Sequence, residues 1–227
     1  IIIISDTNNY LFKKYFSKHI KKNYNSIAFT TIIEHKCIKN NTAEQYFTKF
    51  GPLAFLPISN TKTSVVFSVF DKDLIKNTSK VLKLIKQYNR LYKIKHINEL
   101  QQFPINLSLS RNYYNKNILL FGDPLHKIHP LAGQGFNMTL RDTKILSELI
   151  NQNLNLGLNL NTVLEKFEDT SKNSNFVFAM GIDFIHEFFK LTNKYNFKSI
   201  DKFFRFKNKN IFIKKKFEKF ADKGFIL

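Results

Sequence analysis

Between Asn117 and Asp142 the chain reads NILLFGDPLHKIHPLAGQGFNMTLRD, and this stretch decides the fold. Asn117–Phe121 is a short apolar run that reads as a buried strand, and it stops at Gly122-Asp123. A loop from Pro124 to Gly135 follows. Phe136–Ile150 then takes the helical period, with Phe136, Leu140, Leu146, Leu149 and Ile150 as the expected inward face. A carboxylate at the carboxyl end of a buried strand sits where open α/β sheets place their ligands. Ionised, Asp123 only accepts hydrogen bonds, which suits the hydroxyls of a sugar or ribityl chain. Gly133-Gln134-Gly135 lets the backbone pass close to a planar ligand. The helix beginning near Phe136 offers unpaired N–H groups and the positive end of its dipole. The expected ligand therefore carries hydroxyls at one end and negative charge at the other, as a reduced flavin does.

Working outward, Ile1–Ile4 is a run of β-branched residues that reads as a buried strand. Leu11–Lys22 reads as a short basic helix, and Ile27–Ile33 and Ala43–Lys49 as strands. Leu53–Ile58 and Thr63–Phe70 form an expected hairpin across Ser59–Lys62. In Asp71–Tyr88 the period turns helical, with Leu74, Ile75, Val81, Leu82, Ile85 and Tyr88 on one face, and Phe103–Leu109 returns to strand. Asn151–Asn161 is an Asn/Leu linker. Val163–Lys190 is helical, and two basic, phenylalanine-rich segments run on to Phe220. Mixed strands, a returning buried strand and then helices make the fold class α/β, or α+β within this chain.

The net charge is +19, yet only four of the 36 basic residues are arginines: Arg90, Arg111, Arg141 and Arg205. Nucleic-acid readers favour the planar guanidinium. Lys, Asn and Ile are in joint excess, as an AT-rich genome produces, so the charge reads as codon bias on a solvated face and no nucleic-acid partner is expected. A single cysteine, Cys37, excludes a disulfide framework. No apolar run reaches the length of a membrane span. The chain reads as cytoplasmic. His126 and His129 with Asp123 raise the question of a metal, but their spacing lies in a proline-bounded loop rather than on one helix face, and none is expected.

Asn117–Asp142 resembles the second flavin signature of class A flavoprotein monooxygenases, and among them the aromatic hydroxylases of ubiquinone biosynthesis. Gly122, Asp123, His126, Pro130, Gly133, Gln134, Gly135, Asn137 and Asp142 fall on matching positions. FGPLAFLPISNTKTSVVFSV (Phe50–Val69) resembles the family's substrate-domain hairpin, and FAMGIDFIHEFF (Phe178–Phe189) its late helix. Ile1–Lys14 resembles, in eroded form, the Asp-Gly element that helps hold the flavin. Asp6 matches, while Thr7, Tyr10 and Lys13 replace Gly, Ser and Arg. Pro124-Leu125 stands in place of the usual Ala-Ala.

The resemblance implies the rear part of a p-hydroxybenzoate-hydroxylase-like fold. Residues 1–22 would end the first part of the FAD-binding domain, and 23–110 would form the substrate-binding β-sheet domain. Residues 111–160 would be the returning FAD segment and 161–227 a helical region. The GxGxxG unit that cradles the pyrophosphate is not in this sequence, and the chain opens in mid-strand, so it reads as a fragment that binds FAD poorly or not at all and is incompetent by itself. The implied activity is a monooxygenase reaction. NAD(P)H reduces FAD, O2 is consumed, and a polyprenylated phenol of ubiquinone biosynthesis is hydroxylated. Implied cofactor contacts are Asp123, Pro130, Gly133, Gln134, Gly135, Phe136 and Asn137, with Asp6 a weaker member; the flavin carries the chemistry, so no catalytic side chain is nominated. The implied partners are a prenylated phenol or quinone precursor, O2, and a biosynthetic complex or the inner membrane of a bacterium. The phenylalanines around Phe197, Phe203, Phe204, Phe206, Phe212, Phe217 and Phe220 either touch an anionic membrane or pack in a core. A non-catalytic remnant and a basic nucleic-acid-binding module are the alternatives.

Overall fold

A computed structural model describes residues 1–130, 133–157 and 159–195. The chain divides into two compact units. Of the described residues, the first comprises Ile1–Lys22, Leu107–His129 and those from Gly133 to Tyr195; the second comprises Asn23–Asn106 and Pro130. The elements confirm the mixed α/β class.

The first unit carries a three-stranded sheet. Strand β1 (Ile2–Ile4) runs parallel to β9 (Ile118–Leu120), and β8 (Tyr114–Asn115) pairs antiparallel to β9 on its other side. As the central strand, β9 is buried throughout, whereas edge position leaves Ile2 and Ile3 exposed and only Ile4 in the core. The opening run is thus a strand, but not a buried one. Helix α1 (Tyr10–Tyr15) is started by Asn9, whose side chain accepts from the Leu11 N–H. It stops where Phe16 enters the core, and from His19 the chain is already strand β2 (His19–His35). The helix expected over Leu11–Lys22 is therefore half its length.

Two long helices complete this unit, α4 (Gln134–Asn155) and α5 (Leu160–Tyr195). The core gathers Ile4, Phe16, Ile118, Leu119, Leu120 and Leu125 against Leu146 of α4 and Val163, Leu164 and Phe167 of α5. The inward stripe of α4 runs Met138, Asp142, Leu146, Asn153, and along α5 it includes Ser171, Asn175 and His186. Phe136 and Leu140, expected inside, are 69% and 51% exposed. The helix is turned because a carboxylate, not an apolar residue, occupies an inner position. α4 also extends through the expected linker to Asn155.

The second unit is an antiparallel sheet. The full strand order is β10–β7–β2–β5–β4–β3, with β6 (Ile94–Ile97) also on β2. Here β3 is Glu44–Thr48, β4 Gly51–Ser59, β5 Lys62–Val69, β7 Gln101–Ser110 and β10 His126–Lys127; β2 and β7 contribute residues to both units. The expected hairpin forms, with Leu53 opposite Phe67 and Phe55 opposite Val65. Phe29, Ile33, Leu53, Phe55, Val65 and Phe67 share one face and pack with Leu74 of α2 (Lys72–Ile75) and Val81 and Ile85 of α3 (Thr78–Tyr88). The single helix expected over Asp71–Tyr88 is two, because Asn77 turns its side chain to the Lys80 N–H and opens a new helix.

Gly51 fixes the start of the β4–β5 hairpin. Its φ is +134°, and a Cβ there would lie 1.8 Å from the Ser68 carbonyl oxygen. The neighbouring strand's backbone has no room to retreat. Gly51→Ala is expected to destabilise the fold by about 2–4 kcal/mol in urea denaturation, and an unchanged midpoint would contradict this packing.

Candidate functional site

The site is built at the carboxyl ends of β1 and β9. Ile4 stands opposite Leu120, and the Phe121 N–H donates to the Ile4 carbonyl at 2.9 Å. Beyond these ends the two strands continue into Asp6 and into Gly122-Asp123, so both acidic residues leave the sheet at the same edge. Asp6 is exposed and its Oδ1 accepts from the Asn8 N–H at 2.8 Å, which commits one oxygen to its own loop.

Gly122, at φ +67°, turns the chain, and its carbonyl accepts from the Leu125 N–H (2.9 Å) and the His126 N–H (3.0 Å). Asp123 lies exposed in this turn, while Pro124 and Leu125 are buried. Leu125 belongs to the core, so the departure from Ala-Ala is accommodated by packing. β10 then pairs with β7, His126 opposite Leu109, which holds the far side of the turn.

Gly133, Gln134, Gly135, Phe136 and Asn137 form the entry and first turn of α4. Gly133 has φ +66° with open space where a Cβ would point. A Cβ on Gly135 would meet only Ile128, at an ordinary 3.7 Å. Asn137 Nδ2 donates to Gln134 Oε1 at 3.5 Å. The start of a helix this long leaves N–H groups without intrahelical acceptors and a partial positive charge. Pro130 is exposed.

Three side-chain contacts tie these pieces to the helices. His126 Nε2 donates to Asp142 Oδ2 at 2.5 Å, with both side chains buried. Asp142 Oδ1 accepts from Asn175 Nδ2 at 3.0 Å, and the same amide reaches the Tyr113 hydroxyl at 3.3 Å. Burial pushes the Tyr113 phenol up, so it stays neutral. His126 and Asp142 lay in the matched motif, but nothing in the sequence pointed to Asn175 or Tyr113, which stand 33 and more residues away from their partners. A second pair, His129 and His186, has ring centroids 4.2 Å apart with the planes tilted by 31°, both buried. Burial, and then the neighbouring His186, push His129 down to about 3; burial also lowers His186. Among the described residues no group of three or more His, Cys, Asp or Glu side chains gathers as a metal site.

The fold is that of FAD-dependent monooxygenases. The crystal structure of a single-residue variant of Klebsiella pneumoniae HpxO, complexed with FAD, shares it, with a TM-score of 0.65 over 92% of this chain and 57% of that one at 13% identity. The chain belongs to the squalene epoxidase family, whose sequence model matches residues 2–203. It is 22% identical over 213 residues to the ubiquinone biosynthesis monooxygenase COQ6 of Caenorhabditis elegans, covering 74% of this chain and 47% of that protein. It is 27% identical over 142 residues to the ubiquinone hydroxylase UbiL of Rhodospirillum rubrum, covering 60% and 33%. The chain thus spans less than half the length of these curated relatives. The resemblance read in the sequence holds at the level of the family.

A buried histidine that stays neutral has a pH signature. The unfolded chain takes up a proton near pH 6.5 and the folded chain only near pH 3, so stability is full above pH 6.5 and falls as pH drops through that window. Between pH 8 and pH 5 the loss assigned to His129 is about 2 kcal/mol, read by urea denaturation at the two pH values. His129→Gln is expected to flatten the profile; an equally steep profile in the variant would contradict the assignment.

Proposed function

We propose that this chain contributes the flavin-facing turn, the first turn of α4 and the substrate sheet of an FAD-dependent monooxygenase. The proposed reaction is NAD(P)H- and O2-dependent hydroxylation of a polyprenylated phenol in ubiquinone biosynthesis. The reading is carried by the exposure of Asp123 just past the carboxyl end of β9, together with the open space at Gly133 at the start of α4. The relatives named as ubiquinone hydroxylases support the substrate class.

The residues present fit a flavin. Asp123 offers an acceptor to ribityl hydroxyls, and Asp6 keeps one oxygen for the same edge. Gly133 leaves the backbone accessible, and Gln134 would line the ring. Amides at Gly135, Phe136 and Asn137, aided by the helix dipole, would hold negative charge on the reduced ring. If they act as oxyanion-hole donors do, this contributes about 2–4 kcal/mol. Bound flavin supplies the oxygen-transfer chemistry. In the second unit the sheet face opposite the core carries Thr30, Ile32, Ala54 and Val66, half-buried and in register, which supports its use as a platform for an apolar substrate.

Among the described residues no helix is long and apolar enough to cross a membrane. Val177, Phe184 and Leu191 are exposed one above another along α5, which supports peripheral contact with the bilayer that holds a prenylated substrate. The phenylalanine-rich segment from Phe197 to Phe220 lies outside the described residues.

Titrating FAD into the full-length protein and following flavin fluorescence tests the reading. Binding is expected to saturate, and the loaded protein to consume NAD(P)H on addition of a prenylphenol. Asp123 is exposed, so Asp123→Ala should keep the fold while weakening FAD by about tenfold or more through loss of a charged acceptor. An unchanged affinity in the variant, or no binding by the wild type, contradicts the proposal.

A further inference from the structure

We propose that Asn175 and Tyr113, outside any flavin motif, act with Asp142 and His126 as positioning residues that lock the Asp123 turn against α4. The inference rests on the reading of that turn as a flavin contact and extends it to the element that sets its geometry. His126 follows Asp123 by three positions in the turn closed on the Gly122 carbonyl. Its ring reaches α4 through Asp142, and Asp142 is held from the other side by Asn175 of α5.

The donor and acceptor inventory makes the chain directional. A carboxylate only accepts, so the His126 proton sits on Nε2, and among the described residues Nδ1 has no partner. Asn175 spends both amide protons, one on Asp142 and one on the Tyr113 hydroxyl. Tyr113 is itself fixed: its N–H donates to Glu168 Oε2 at 2.9 Å, and its carbonyl accepts from the Leu120 N–H at 2.8 Å, at the end of β9. The network therefore closes a loop from β9 through α5 and α4 back to the turn that leaves β9. With Asp142 fully buried, each link either is made or leaves a polar group stranded in the core.

An exchange of the two partners isolates this role. Asp142→Asn alone sets one amide between two donors, or drives the His126 proton to Nδ1, where no described residue receives it. Asn175→Asp alone brings two buried carboxylates together. The double variant Asp142→Asn/Asn175→Asp restores every bond, with the two made by residue 175 reversed. The amide at 142 accepts from His126 and donates to the carboxylate at 175, which accepts the Tyr113 hydroxyl proton.

The test is amide hydrogen exchange in the full chain, without flavin. Protection at Leu125 and His126 is compared with that at Leu119 and Leu120 in β9. Each single variant is expected to lower the ratio by about tenfold, the size set by one buried unsatisfied group, and the double variant to return it to within about threefold of wild type. FAD affinity should follow the same order. A uniform loss of protection, or a double variant no better than the singles, overturns the proposal. If Asp142→Asn does not fold, Asn175→Ala provides the single-variant arm. The effect of Asp123→Ala on FAD binding judges the flavin reading separately, since the exchange ratio needs no ligand.

Discussion

The architecture of the first unit depends on one buried hydrogen bond, from the His126 ring to the Asp142 carboxylate. Asp142 is 0% exposed, in a position that helical periodicity reserves for an apolar side chain. Removing one member of such a buried hydrogen bond strands a polar group at a cost of about 1–3 kcal/mol, a substantial part of the roughly 5–15 kcal/mol that holds a domain folded. The pair is tolerated because Asn175 satisfies the second carboxylate oxygen. Its consequence is geometric: the face of α4 that carries Asp142 must turn inward, and Phe136 and Leu140 turn outward with the first turn of the helix.

The same constraint explains why polar residues recur in this core. Ser171, Asn175 and His186 share the inward side of α5 with Phe167, Phe178 and Ile182. Lys22 adds an anchor nearer the surface, its ammonium 2.7 Å from Asp183 and 3.1 Å from Glu187. Arg141, beside Asp142 in sequence, lies over the Phe178 ring at 4.3 Å. Hydrophobic burial brings α4 and α5 together, and directional contacts select the rotation and height at which they meet. For the cofactor-holding role proposed for this unit, rotation and height are the properties that matter.

Much of this was legible in the sequence, for physical reasons. The β4–β5 hairpin was readable because two runs rich in apolar, β-branched and aromatic residues flank the polar turn Ser59–Lys62. Asp123 and Gly133–Asn137 were readable because a strand end, a glycine pair and a helix start carry local signatures. The phase of α4 was not, since Asp142 looks like a surface residue until His126 and Asn175 are beside it. The division between α2 and α3 turned on one capping asparagine in a chain rich in asparagine. Asn175 and Tyr113 were hidden altogether: their role exists only through long-range contacts, and no local pattern encodes it.

The central claim is that the turn bearing Asp123 and the start of α4 grip one flavin. A crystal structure of the full-length protein grown with FAD tests it most directly. Ribityl hydroxyls are expected within hydrogen-bond reach of the Asp123 carboxylate, with the isoalloxazine beside the amides of Gly135–Asn137. A flavin bound elsewhere, or one whose ribityl chain is held by other groups with Asp123 turned to solvent, would contradict it.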